Sequence, residues 1–113
     1  METKLPVADQ AQVEEGKIRD YLLNSDHADG ASKARFFTAR GFSLTDWGLF
    51  AAALTEQGRN NGVTRVTATE WGTRYQVDCH CPTPDGANPC IRTVWEIADG
   101  GSPRLLTAHP LKR

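Results

Sequence analysis

The sequence predicts an α+β domain in which about three N-terminal helices pack on one face of a four-stranded antiparallel meander. Three observations carry this expectation. Apolar residues at helical spacing run through residues 13–60. β-branched and aromatic residues with turn punctuation take over across residues 63–110. The breaks between those later runs are short, whereas a parallel crossover needs roughly a dozen residues or more. A length of 113 residues suits one domain with one modest core, spanning residues 1–113. Residues 1–10 are expected to be loosely ordered.

Pro6 breaks any helix in that first segment, and Asp9 is placed to cap the first helix after it. VEEGKIRDYLLN, residues 13–24, reads as a helix with Ile18, Tyr21 and Leu22 on one side. Its acids fall early, where the helix dipole favours them. Gly16 weakens it by up to about 1 kcal/mol. SDHADGAS, residues 25–32, is a loop of turn and cap residues, among them Asp26, Asp29, Gly30 and Ser32. A second helix runs through KARFFTAR, with Gly41 at its C′ position. In the third, Ser43 or Thr45 is the cap, and Trp47, Phe50, Ala51 and Leu54 form one buried stripe. Strands are expected at 63–69, 73–80, 90–97 and 104–109, joined by EWG, CPTPDGANP and ADGGSP.

Thirteen basic residues face fourteen acidic ones, which argues against a strongly basic nucleic-acid module. A local basic patch depends on arrangement and stays open. Three cysteines are an odd number, and METKLPVADQ has no apolar leader core, so a reducing, cytoplasmic site of action is expected. A domain delivered as the tip of a larger exported protein fits the same residues. No run approaches the roughly eighteen apolar residues of a membrane span, so no membrane association is expected.

Alternation along the strands turns Thr73, Tyr75, Val77 and Cys79, and Ile91, Thr93, Trp95 and Ile97, toward the helices. Arg74, Arg92 and Arg65 then share the open face. In the last strand, Leu105, Thr107 and His109 oppose Arg104, Leu106 and Ala108, and the pattern leaves open which set looks outward. Arginines beside a histidine suit phosphate binding. They also read as ordinary charge pairs, Arg74 with Asp78 or Arg92 with Glu96.

CHCPTPDGANPC, residues 79–90, holds three cysteines and a histidine. Zinc sites usually space their cysteine pairs as C-x₂₋₄-C. Cys79 and Cys81 are closer than that, and Cys90 stands alone. The stretch reads as a hairpin loop around PDG that brings Cys79 and Cys90 together. No metal and no cofactor are expected.

SDHADGASKAR gathers His27, Lys33 and Arg35 around a helix start, whose free N–H groups favour an anion. A histidine with cations is the equipment of a metal-free ribonuclease. The competing reading is a capped helix with solvated side chains.

KIRDYLLNSDHADGASKARFFTARGF, GTRYQVD, PDG, RTVWEI and PRLLTAHP resemble, in this order, a small bacterial family known as a domain of unknown function. Its members read YLLNPEHPxGxSKAxFF at the matching place. The likeness runs from Lys4 to Pro110. Such domains stand alone or end polymorphic-toxin and phage-associated proteins, so the resemblance implies a toxin tip. The order of elements is similar to the fold of barnase, colicin E5 and RelE-type ribonucleases, an analogy of fold alone. His27, Gly30, Lys33, Tyr75, Arg92, Trp95, Thr107 and Pro110 match the family pattern. The family more often has an aromatic residue at His109, and glycine or ordinary loop residues at Cys79 and Cys81. These departures make His27 the better histidine.

The leading expectation is a metal-independent ribonuclease toxin domain acting on RNA. His27 is its acid or base, Lys33 and Arg92 hold phosphate, and Thr107 positions the substrate. Arg35, Arg74, Tyr75, Trp95 and His109 are the further expected substrate contacts. The alternative is a non-enzymatic interaction module, an immunity or adaptor protein. The near-neutral charge and an exposed Trp71 favour it. Either reading implies a cognate partner protein.

Overall fold

The computed structural model describes residues 3–24, 26–28 and 30–111. The expected loose segment is tied down over its described part. The Thr3 carbonyl accepts the Val63 N–H at 2.7 Å. Leu5 is buried in the core. A 3-10 turn, Ala8–Gln10, follows, and Gln12 bridges to Arg104 in parallel.

The first helix is α-helical only over Glu15–Lys17 (α1) and continues as a π-helical turn, Ile18–Leu22. The Leu23 N–H reaches back to the Ile18 carbonyl at 2.8 Å. Ile18 and Leu22 are wholly buried, while Tyr21 is half-exposed.

The second helix, α2, is Ala31–Ala39 and has no side-chain cap of the expected kind. Instead the Gly30 N–H donates to His27 Nδ1 at 3.0 Å. A Cβ on Gly30 would stand 2.2 Å from the Tyr21 carbonyl oxygen, so glycine lets α2 start against the π turn. Asp29, one of the expected caps, lies outside the described residues. The helix ends as expected. Gly41 N–H donates to the Thr38 carbonyl and Phe42 N–H to the Phe37 carbonyl, a Schellman motif.

The third helix, α3, is Trp47–Asn60. Neither Ser43 nor Thr45 caps it directly, since Ser43 Oγ accepts the Asp46 N–H, one residue early. Its stripe is the expected one: Phe50 and Leu54 are wholly buried, and Trp47 and Ala51 pack against the core. No helix among the described residues is long and apolar enough to cross a membrane.

Strands β1 (Val63–Thr69), β2 (Gly72–His80), β3 (Cys90–Ile97) and β4 (Arg104–Pro110) form an antiparallel sheet in the order β1-β2-β3-β4. The helices cover one face, burying Val77, Ile91, Thr93 and Trp95. A buried polar clamp fastens α3 there. Gln57 Nε2 lies 3.0 Å from the Val77 carbonyl and 3.2 Å from that of Ile91. Its Oε1 accepts the Thr93 hydroxyl, and Thr93 accepts the Trp95 indole N–H, both at 2.7 Å.

Strand β4 resolves the ambiguity of its pattern. Val94 pairs with Thr107 but Trp95 pairs with Leu105, so Leu106 is an extra, bulged residue. Such a bulge re-aims the side chains beyond it. Leu105 and Ala108 therefore both face the core, while Thr107 and His109 share the outer face with Arg92 and Val94. Neither alternating set read from the sequence survives intact.

Candidate functional site

The outer rim of β4 is where two distant parts of the sequence meet. Tyr21 Oη lies 3.0 Å from Thr107 Oγ1. The His27 ring stands edge-on to the Tyr21 ring, with centroids 5.0 Å apart. Lys33 Nζ sits 5.1 Å from the centre of that ring and Lys17 Nζ 5.6 Å from it. Each position has a local cause. The π turn presents Tyr21, the close Gly30 contact seats α2 beside it, and the Leu106 bulge turns Thr107 outward.

His109 and Arg92 are register partners beside this group, and Asp78 is Arg92's partner on the other side. Arg92 grips Asp78 with two hydrogen bonds, Nε to Oδ1 at 2.8 Å and Nη2 to Oδ2 at 3.1 Å. Its partner is thus Asp78, and that of Arg74 is Glu96 at 3.2 Å. The charge pairs lie directly across neighbouring strands, where side chains meet. The expected pairs, Arg74 with Asp78 and Arg92 with Glu96, are instead neighbours along single strands.

The ionisation of the cluster follows from its contacts. Burial pushes the Tyr21 phenol up, but hydrogen bonds to Thr107 and Lys33 and the Lys33 and Lys17 charges outweigh it, so the net shift is downward. Burial lowers His109, and the Arg92 and Lys33 charges lower it further against the pull of Asp78. The Arg92 hydrogen bonds hold Asp78 below the usual carboxylate range, with burial opposing them. His27 Nδ1 accepts a backbone N–H, which places the proton of the neutral ring on Nε2.

Of the residues singled out from sequence, His27, Lys33, Arg92, Thr107 and His109 gather around Tyr21 and Thr107. The other four lie elsewhere. Arg35 is exposed and lines a groove with Leu23 and Thr38. Arg74 sits farther along the outer face. Tyr75 packs against the core from the helix side. Trp95 is wholly buried with its N–H given to Thr93, which leaves no ring face for a substrate. Sequence reasoning missed Tyr21 and Asp78. Tyr21 looked like one more apolar position on a helix, and the Asp78–Arg92 register depends on where the long hairpin closes.

The cysteine loop is closed by a Cys79–Cys90 disulfide, and Cys81 is free and buried. This is the pair that the hairpin reading of the loop brings together.

A family model described as a domain of unknown function (DUF6883) matches residues 4–112. The chain therefore belongs to that family. No curated protein matches it. Among solved structures, it is similar to a chain of a contact-dependent growth inhibition toxin–immunity protein complex from Klebsiella pneumoniae 342. The TM-score is 0.72 at 20% identity, over 95% of this chain and 98% of that one. At that identity the likeness is one of fold.

Proposed function

We propose that this DUF6883 domain is a metal-independent ribonuclease, the toxic tip of an antibacterial protein, acting at the Tyr21–Thr107 cluster. The observation that carries the reading is the convergence of a proton-carrying phenol, two cations and two histidines on one rim, from segments far apart in the chain. RNA can be cut without metal when a base takes the 2′-hydroxyl proton and that oxygen attacks the phosphorus. An acid then protonates the departing 5′-oxygen. His109, held uncharged, is the base in this proposal, and Tyr21, made more acidic by Lys33 and Thr107, is the acid. Lys33 and Arg92 face the charge that grows on the phosphate. His27 orients the Tyr21 ring. Its Nδ1 is engaged by the Gly30 N–H, which fits a positioning role. A match to a chain of a toxin–immunity complex fits a domain that is neutralised by a cognate protein.

A second reading rests on Arg92. Its guanidinium is already matched by Asp78, as expected of a structural pair in a non-catalytic immunity or adaptor module. One experiment separates the two. The purified domain, Tyr21→Phe and His109→Ala are incubated with total bacterial RNA in EDTA. Cleavage by the parent that is lost in both variants supports the ribonuclease. Cleavage by all three dismisses these two residues, and no cleavage by folded parent favours the interaction module.

A further inference from the structure

A second feature lies farther along the outer face, past the Leu106 bulge. A cleft of about 690 Å³ is lined there by Gln12, Trp71, Arg74, Glu96, Ser102 and Arg104. Trp71 is 66% exposed, the most exposed of the large apolar side chains among the described residues. A single exposed apolar side chain is ordinary in itself. The backbone of the Trp71 turn is held in place. The Trp71 main-chain N–H donates to Thr69 Oγ1 at 3.2 Å, and that hydroxyl donates to the Gly72 carbonyl at 2.9 Å. Gly72 has φ 147°, and a Cβ there would stand 2.5 Å from the Ile97 carbonyl oxygen. The turn is thereby locked with its ring outward.

The cations beside it are also fixed. The Glu96 side chain, only 10% exposed, holds Arg74 Nε at 3.2 Å and Arg104 Nη2 at 3.5 Å. Glu14 reaches Arg104 from the outside at 3.8 Å. Arg74 meets one carboxylate through Nε and Arg104 meets two through its terminal nitrogens, yet the two arginine side chains remain 43% and 55% exposed. Two acids balance the two arginines, so the cleft is no general anion trap. It offers an aromatic plane with preset N–H donors at its side, which is the equipment for one unpaired nucleobase. Arg92 and Glu96 are four residues apart on β3, about 13 Å at the rise of a strand. A single strand can span that distance.

We infer that the Trp71–Arg74–Arg104 cleft is a second nucleotide subsite, which stacks one unpaired base of an RNA strand whose scissile phosphate lies at the Tyr21–Thr107 cluster. This rests on the ribonuclease reading and extends it to substrate class: single-stranded RNA of several nucleotides, engaged at both ends of the sheet face. Arg74 acts here as a base-side contact at a distance from the phosphate.

The test compares the parent protein with Trp71→Ala and Trp71→Phe. Binding is read with a six-nucleotide 2′-O-methyl RNA, which cannot be cut, and cleavage with a dinucleotide and a six-nucleotide RNA. Loss of one stacked base weakens binding about 5- to 160-fold. Trp71→Ala is expected to show that loss and a matching fall on the long substrate only, with Trp71→Phe restoring most of it. Parent that cuts both substrates while Trp71→Ala cuts and binds like it would overturn the subsite and leave the ribonuclease standing. Parent that neither binds nor cuts RNA overturns both readings. If Trp71→Ala instead abolishes capture of a cognate protein while RNA binding is unchanged, the cleft is a protein interface and the inference is wrong.

Discussion

Tyr21 and Thr107 are 86 positions apart in sequence, and their hydroxyls share one hydrogen bond at 3.0 Å. That bond joins the π turn to the bulged edge strand, so Tyr21→Phe tests the junction with little change of shape. Proton transfer by a positioned side chain contributes roughly 10²–10⁴-fold to a rate. Tyr21→Phe is expected to lower RNA cleavage about 100-fold or more. Its cost in stability should be about 1 kcal/mol, the net worth of one hydrogen bond. Initial rates and urea midpoints on the same samples separate the two effects. A stability loss with an unchanged rate would leave Tyr21 a structural residue.

His109 predicts a pH dependence. Burial and the Arg92 and Lys33 charges hold it below its ordinary 6.5. The folded state therefore takes up this proton less readily than the unfolded chain. Stability from this group is intact above about 6.5 and falls as pH drops through the lowered folded-state value. Lys33→Ala removes one of the opposing charges, so the His109 titration should move upward. NMR titration of the imidazole reads the shift directly. In the ribonuclease reading the acid limb of the rate profile follows it. A titration unmoved by Lys33→Ala would mean that the two groups do not sense each other.

Much of the fold was legible because it rests on periodicity and turn chemistry. The switch of period after Gly62, the Gly41 terminus of α2 and the short sheet connections all carry local signals. The site is less so. His27, Lys33, Arg92, Thr107 and His109 could be nominated by residue type. What brings them together is the Leu106 bulge and the π turn at Tyr21, each a single-residue offset that strict alternation or helical spacing conceals. Trp95 shows the opposite error. A residue can match a family pattern because it fills the core, and its type alone does not distinguish that from a substrate contact.

The cysteines give a chemical prediction. Cys81 is wholly buried, and burial together with the Glu56 charge pushes its thiol up to about 12. Only the thiolate reacts readily. Iodoacetamide near pH 8 should therefore label no cysteine in the folded protein, one after unfolding, and all three after unfolding with reductant. Mass spectrometry counts the adducts. The disulfide closes a loop with a sequence separation of 11, worth about 2–3 kcal/mol by loop entropy. Reduction should lower the urea midpoint accordingly. A folded protein that takes up two labels would show that Cys79 and Cys90 are not bonded.

Gln57 is a polar residue at the centre of the core, and its removal should harm the fold and spare the site. Its amide serves backbone carbonyls of two strands, and its oxygen accepts the hydroxyl on which the Trp95 indole also depends. Gln57→Leu keeps most of the volume and removes these partners together. An unsatisfied buried polar group costs about 1–3 kcal/mol, so the variant should lose about 2–4 kcal/mol in urea unfolding. Thr93→Val in the same background should add less than it costs alone, because its partner is already gone, with coupling of about 1 kcal/mol. The clamp lies on the helix side of the sheet, whereas Thr107 and His109 face away from it. Well below the unfolding midpoint, Gln57→Leu should therefore retain the parent's RNA cleavage rate within about twofold, a change of under 0.5 kcal/mol in barrier. A large loss of rate in fully folded protein would show that the clamp sets the geometry of the outer face as well as holding α3 in place.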